Sequence, residues 1–361
     1  MSTIKVNTID NEGGAVDFPN KLTVRGNAIE RTYTSSGTEP SSPSEGDFWY
    51  DTGNSLLKHY INSEFKTISF VPPATWYGSR GLNVGGMSSN AIDYFDITSS
   101  GNASDFGNLT SSRRGMGAVS NATYGVFAGG YTSTNVNTID YITVATTGDA
   151  ADFGDMTAVT RDQMSVSNGN RACFGGGSTS GDANKIEYIT LGVTSGNASD
   201  FGDLTVARNG NEGGMNDATR GVFGSGYTIN VLDYITIGTL GNATDFGDHT
   251  GLSYAASTSD LTKGVTAGGS DSAVRNYISY ITIQTTGNAT DFGDLTVARS
   301  QLAATSDATY GVFSGGFDFN NAVNTIDRIS IATTGNATDH GDLNKSGNAL
   351  RFCGSTSGNA S

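Results

Sequence analysis

An all-β fold assembled from tandem repeats is what this 361-residue sequence predicts, on three observations. The word GNATDFGDLT (287–296) has relatives at GNASDFGNLT (101–110), GDAADFGDMT (148–157), GNASDFGDLT (196–205), GNATDFGDHT (241–250) and GNATDHGDLN (335–344). Their first glycines, Gly101, Gly148, Gly196, Gly241, Gly287 and Gly335, follow one another at spacings of 47, 48, 45, 46 and 48. The chain also carries 50 glycines, about twice the usual share and without the three-residue period of collagen, while Thr, Ile, Tyr and Phe fill the segments between them. That is the composition of short strands joined by tight turns. Lastly, no long run places apolar residues at helical spacing.

One repeat, 298–343, yields four strands. Strand a is RSQLAATSD (299–307), and strand b is ATYGVFSGG (308–316), ending in a glycine pair. Strand c is TIDRISI (325–331), read as strictly alternating, and strand d is ATDHGDL (337–343). Strands b and c each recur six times, from SRGLNVGG (79–86) and IDYFDI (92–97) onward. A four-stranded sheet of this size cannot bury both faces alone, and radial stacking around an axis solves that problem. The expected architecture is therefore a six-bladed β-propeller over 71–361. The first repeat lacks a strand a, and GNALRFCGS (347–355) at the other end reads as a strand a without a strand b. The C-terminal strand is thus expected to close the first blade, built from 79–109 plus 347–355.

The glycine pair, the arginine opening strand a (Arg114, Arg161, Arg208, Arg299) and the period resemble Kelch repeats over 79–355. The resemblance implies a Kelch-like propeller. The usual Kelch tryptophan is missing, with Phe106, Phe153, Phe201, Phe246 and Phe292 in its place and His340 in the last copy.

Asp-Phe-Gly is also a kinase signature, but a kinase has one copy, accompanied by a glycine-rich loop, a strand lysine and a catalytic loop that are not found here. The repeated word reads as turn chemistry. Calcium on pairs such as Asp291 and Asp294 is the sharper alternative, weakened by Asn108 replacing one Asp. Three histidines at unrelated positions, no CxxC, no GxSxG and no HExxH leave no metal, cofactor or catalytic constellation, so no enzyme is expected. The sialidase turn is absent as well. Cys173 and Cys353 read as buried free thiols. Net charge is −15, which argues against nucleic-acid binding. No run reaches the length of a membrane span, and residues 1–30 lack a signal-peptide core, so the Asn-X-Ser/Thr triplets read as turns.

The first seventy residues break the repeat. They read as a β-rich segment (1–33), a Ser/Pro/Gly linker (34–47) and a small hairpin module (48–70) with strands FWYDT, LLKHYI and EFKTI. The stretch PSSPSEGDFWYDT…LKHYINSEFK, with the opening MSTIKVNTIDNEGGAV, resembles a module of bacteriophage tail-fibre and other virion proteins. In that family the N-terminal part docks on the particle, often as a trimer, and the distal part varies. The resemblance implies a virion protein, made in the host cytoplasm and placed on the phage tail. Its partners would be other virion proteins through 1–70 and a host-surface glycan or receptor. A decoration protein without host contact and a glycan depolymerase are the alternatives.

Binding is expected where repeats differ, in the b–c connections 87–91, 131–138, 178–185, 227–231, 270–277 and 317–325, all on one face. Tyr131, Asn135, Tyr227, Asn230, Phe317, Phe319 and Asn320 offer aromatic rings beside amides, a combination that suits sugars.

Overall fold

The computed structural model describes residues 33–53, 56–61, 63–67, 75–209, 213–227, 229–249 and 251–360, and the backbone of Leu22–Val24 and Asn27–Ile29. The fold is all-β, made of several four-stranded antiparallel sheets. The chain divides into two compact units, Met1–Pro72 and Pro73–Ser361.

In the first unit, Phe48–Asp51, Leu56–Ile61 and Glu64–Thr67 form an antiparallel meander. Tyr33–Ser36 adds to it in parallel with Phe48–Asp51, so residues 34–36, expected in the linker 34–47, belong to a strand. Parallel neighbours need a crossover connection rather than a tight turn, and residues 37–47 supply it. Trp49 explains why the strand docks. Its ring is buried, and its Nε1–H donates to the Ser36 carbonyl at 3.0 Å. Buried Asp51 accepts from Lys58 Nζ at 2.9 Å. Leu22–Val24 pairs with Asn27–Ile29; most of the expected attachment segment 1–33 lies outside the described residues.

Among the described residues, the second unit holds six sheets, I to VI, each with strands a to d in that order. Sheet VI is Ala303–Ser306, Tyr310–Ser314, Thr325–Ser330 and Thr338–Asp342. The a strands of II to V are Gly117–Ser120, Met164–Ser167, Gly214–Asn216 and Ala256–Ser259. Each a strand lies beside that of the next sheet, and that of VI lies beside that of I.

Strand a of sheet I is Gly354–Gly358, antiparallel to Arg80–Val84 with Thr356 opposite Leu82. The expected span 347–355 was therefore displaced. Thirteen positions separate Asn344 from Ser357, where ten separate Thr296 from Ser306, and a 3-10 turn at Gly347–Leu350 absorbs the excess.

Strand c does not alternate strictly. Ile326 and Asp327 are both fully buried, because the two faces of one sheet pack on different neighbours. Ile326 joins Val312, Phe95 and Ile97 between VI and I. Ile329 joins Phe313, Val265 and Ile278 between V and VI. Comparable clusters fill the other four junctions.

The arginines behave differently from the reading of a strand-opening residue. Arg113, Arg208 and Arg299 are fully buried and pair with Asp140, Asp233 and Asp327 at 3.0, 2.7 and 2.8 Å. Arg113, not Arg114, is thus the equivalent of Arg208, and Thr160, not Arg161, stands in that place in sheet III. In sheet I, Lys345 substitutes, its Nζ donating to Asn83 O, Asn83 Oδ1 and Gly85 O at 2.9, 2.9 and 3.0 Å.

The repeated DFGD word links neighbouring sheets. The N–H of Gly335 donates to Phe292 O, that of Ala337 to Asp294 O, and Asn336 Oδ1 accepts from the Asp294 N–H at 3.1 Å. The glycine that opens each word thus docks on the phenylalanine of the preceding word, and Gly101 docks on His340 O to join VI to I. Where Asp149 replaces the asparagine, its carboxylate accepts from the Asn108 N–H at 2.9 Å. Gly293 sits at φ +153, and a Cβ there would meet Gly335 O at 2.4 Å, so the DFGD glycine is required twice over.

Candidate ligand-binding face

The segment between strands d and a meets the b–c connection of the same sheet. Arg114 and Tyr131 exchange backbone hydrogen bonds of 3.2 and 2.8 Å, and so do Ser300 and Phe317 at 3.0 and 2.8 Å. Arg161 with Ser178 and Ser253 with Ser270 pair likewise, while Tyr227 donates to Asn209 O and Met87 to Arg351 O. One residue further on, the d–a segments link sheet to sheet. The N–H of Asp162 donates to Gly115 O, Gly115 to Phe352 O, Phe352 to Gln301 O and Gln301 to Tyr254 O, over 2.7–3.0 Å. These five residues share φ between +56 and +62. This backbone chain gathers the b–c connections at one end of the sheets.

Three of the residues expected there come together, through partners that sequence reading missed. Tyr131 lies between two guanidinium groups, those of Arg114 and Arg161, at 5.0 and 4.8 Å from its ring centroid. Phe317 lies under Arg351 at 4.0 Å. Phe352 bridges the two groups, 5.2 Å from Arg114 and 6.0 Å from Arg351. Tyr254 meets Phe352 edge-on at 5.5 Å and Tyr227 at 6.5 Å. Tyr227 is 56 % exposed, which leaves an accessible ring at the margin of the patch.

The other expected residues are placed differently. Asn135 is committed to the fold, its Nδ2 donating to Ser178 O and Thr179 O, both at 2.8 Å. Asn230 occupies a position that every repeat fills with asparagine, and its carbonyl accepts from the His249 N–H at 2.8 Å. Phe319 and Asn320 form the exposed tip of the loop based on Phe317. The Asp318 carboxylate accepts from the N–H of Asn320 and Asn321. No ring contact joins Phe319 to the patch among the described residues.

Two groups in the patch titrate away from their ordinary values. Burial pulls the Arg351 guanidinium down, and the positive charge of Arg114 adds to it. Burial raises the Tyr254 hydroxyl, with Asp162 and Tyr227 adding and Arg161 and Arg114 opposing.

A cavity of about 120 Å³ lies among the a strands, lined by their small side chains together with Trp76, Met116, Gln163, Gln301, Leu302 and Phe352. Its serines are engaged across sheets: Ser357 Oγ donates to Ser306 O, Ser306 Oγ to Ser259 O and Ser259 Oγ to Asn216 O, at 2.5, 2.5 and 2.9 Å. At that size the cavity lies below the usual range of small-molecule sites. Among the described residues, no three His, Cys, Asp or Glu side chains converge on a metal position.

No family model matches this chain, and no curated protein is recognisably similar to it.

Proposed function

We propose that the second unit is a six-bladed, Kelch-like β-propeller in a non-enzymatic phage virion protein. The first seventy residues attach it to the particle, and the end bearing the b–c connections contacts the host surface or a neighbouring virion protein. The observation that carries this reading is the patch joining Tyr131, Tyr227 and Phe317 on a backbone-tied platform. Loops held on a rigid scaffold are the usual carriers of binding. The propeller is supported by the succession of a strands that returns to its start and by a hydrophobic cluster at each of six junctions. The attachment role rests on the likeness of GDFWYDT…LKHYIN to virion modules.

A binding role without catalysis is supported by how the reactive groups are used. Burial pushes the Cys173 thiol up to about 12, which keeps it protonated and inert. His340 Nε2 is spent on Asp96 O at 2.7 Å, and His249 Nε2 on Ser279 Oγ at 2.6 Å.

The test is localisation in purified particles, by mass spectrometry and by electron microscopy with a label against residues 75–360. Label at the tail tip or fibre ends, with adsorption lost when Tyr131, Tyr227 and Phe317 become alanine, is the expected result. Label confined to the capsid would favour decoration, and a chain missing from the particles would overturn the virion reading.

A further inference from the structure

The residue that pairs with the start of each b–c connection is Arg351 in sheet I, Arg114 in II, Arg161 in III, Asn209 in IV, Ser253 in V and Ser300 in VI. Three successive sheets carry arginine and the other three carry small neutral residues. The repeat therefore has a cationic arc on one side of its loop end, within a chain of net charge −15. Like charges side by side are unfavourable unless something offsets them. The positive charge of Arg114 does bear on Arg351, and among the described residues Asp162, 3.4 Å from Arg161 Nε, is a carboxylate paired with the arc.

The arginines are held in a way that leaves them able to bind. The Arg114 guanidinium carbon lies over the Tyr131 and Phe352 rings, 5.0 and 5.2 Å from their centroids, and its side chain makes no hydrogen bond or ion pair among the described residues. Stacking uses the face of a guanidinium, and its N–H groups point outward in the plane, where they match the two oxygens of a carboxylate or phosphate. Arg351 spends its Nε on Gln301 Oε1 at 2.7 Å, which fixes its orientation over Phe317.

We infer that the arc of Arg351, Arg114 and Arg161 binds an acidic polysaccharide, with the sugar oxyanions on the guanidinium edges and Tyr131, Phe352 and Phe317 flanking the sugar rings. Cations on three successive sheets suit a polymer with a charge on each repeat better than a single anion, and aromatic rings beside donors suit sugars better than an acidic peptide. The oxyanion is a uronate carboxylate or a backbone phosphate, since both meet a guanidinium fork in the same way. This inference rests on the proposed binding role of the face and names its ligand class.

The experiment uses the full chain and calorimetric titration with three probes: an octagalacturonate, a phosphodiester-linked poly(N-acetylglucosamine 1-phosphate) and neutral maltooctaose. At least one anionic probe is expected to bind about tenfold or more tightly than maltooctaose, and to weaken about tenfold in Arg114→Gln, as fits one lost charge-assisted contact. Raising salt to roughly 0.3 M should weaken it further. The probe that binds identifies the oxyanion. Arg161→Gln serves as the second variant, and unchanged unfolding midpoints certify both. Maltooctaose binding as well as the anions, no anion binding, or binding indifferent to both substitutions would each overturn the inference. If the anions fail while the Tyr131, Tyr227 and Phe317 alanine variant still abolishes adsorption, the ligand class falls and the binding face stands; if adsorption is also unchanged, both fall.

Discussion

Cys173 illustrates how a residue of modest chemistry is fixed by its surroundings. It lies fully buried among Met164, Val166 and Phe223, and burial pushes its pKa up from 9.0 to about 12. Between those values the unfolded chain releases the thiol proton while the folded chain keeps it, so stability falls as pH rises from 9 toward 12. The slope from this one group is about 1.4 kcal/mol per pH unit. Because Cys353 is raised by burial as well, the comparison belongs in a Cys353→Ser background. There, the urea midpoint should drop more between pH 8 and pH 10.5 than it does when Cys173→Ala is added. Equal drops in the two proteins would refute the assignment. Sequence context was enough to read Cys173 as buried. It was not enough to choose between Arg113 and Arg114, because a doublet offers two registers and a one-residue slip turns a side chain to the opposite face. Only the pairing of Arg113 with Asp140 decides it. The arc of Arg351, Arg114 and Arg161 was not legible either: Arg114 and Arg161 read only as residues that open strand a, in one class with Arg208 and Arg299, and Arg351 lies beyond a turn that the repeat pattern does not contain.

At the scale of elements, the repeated word was legible as structure, and its task was not. GNATDFGD reads as turn chemistry, yet its first half docks on the second half of the word before it, 42 residues away in the case of Asn336 and Asp294. Periodicity shows that a word recurs but not that one copy holds the next. The four strands per repeat were legible because glycine pairs and Asn-rich turns punctuate them. The burial of strand c on both faces was hidden, since alternation presumes one wet face and each sheet here packs on two neighbours. The docking yields a controlled comparison between two glycines of one word. Gly287 and Gly293 have nearly the same φ, +155 and +153. A Cβ at Gly287 meets nothing within 4 Å, whereas one at Gly293 meets Gly335 O and C at 2.4 and 2.5 Å. Alanine should therefore cost backbone strain of about 1–3 kcal/mol at either place, and at Gly293 at least about 1 kcal/mol more, because the neighbouring sheet must shift. Urea denaturation of the two variants measures the difference, and equal losses would deny that this glycine is where the sheets meet.

For the second unit as a whole, the sheets are tied at several levels. Serine hydroxyls bond across the a strands, the chain from Asp162 to Tyr254 links the loop end, and the Gly-Asn-Ala turns link the d strands. Sheet I is singular, because its strands come from both ends of the repeat region. Gly354–Gly358 completes it, and around that strand Ser355 Oγ donates to Leu82 O, Ser357 Oγ to Ser306 O and the Asn359 N–H to Ala122 O. Shortening the chain at Cys353 removes all three ties, together with the backbone pairing to Arg80–Val84. It leaves a strand containing buried Leu82 and Val84 as an unpaired edge. Edges of that kind recruit other chains. Repeats freed from closure also unfold piecemeal, since the sheets at the opened junction then lean on a neighbour to one side only. The shortened protein is expected to self-associate in size-exclusion chromatography with light scattering, and to unfold in urea over a broadened transition at a lower midpoint. A synthetic peptide of residues 351–361 supplied in excess should restore both the size of the full-length protein and the sharp transition, because it offers the missing strand without a covalent link. A shortened chain that keeps the size of the full-length protein with an unchanged midpoint would mean that the sheets hold together without closure. The closing strand would then be dispensable, and the proposed propeller would need another explanation for how its first and last sheets stay joined.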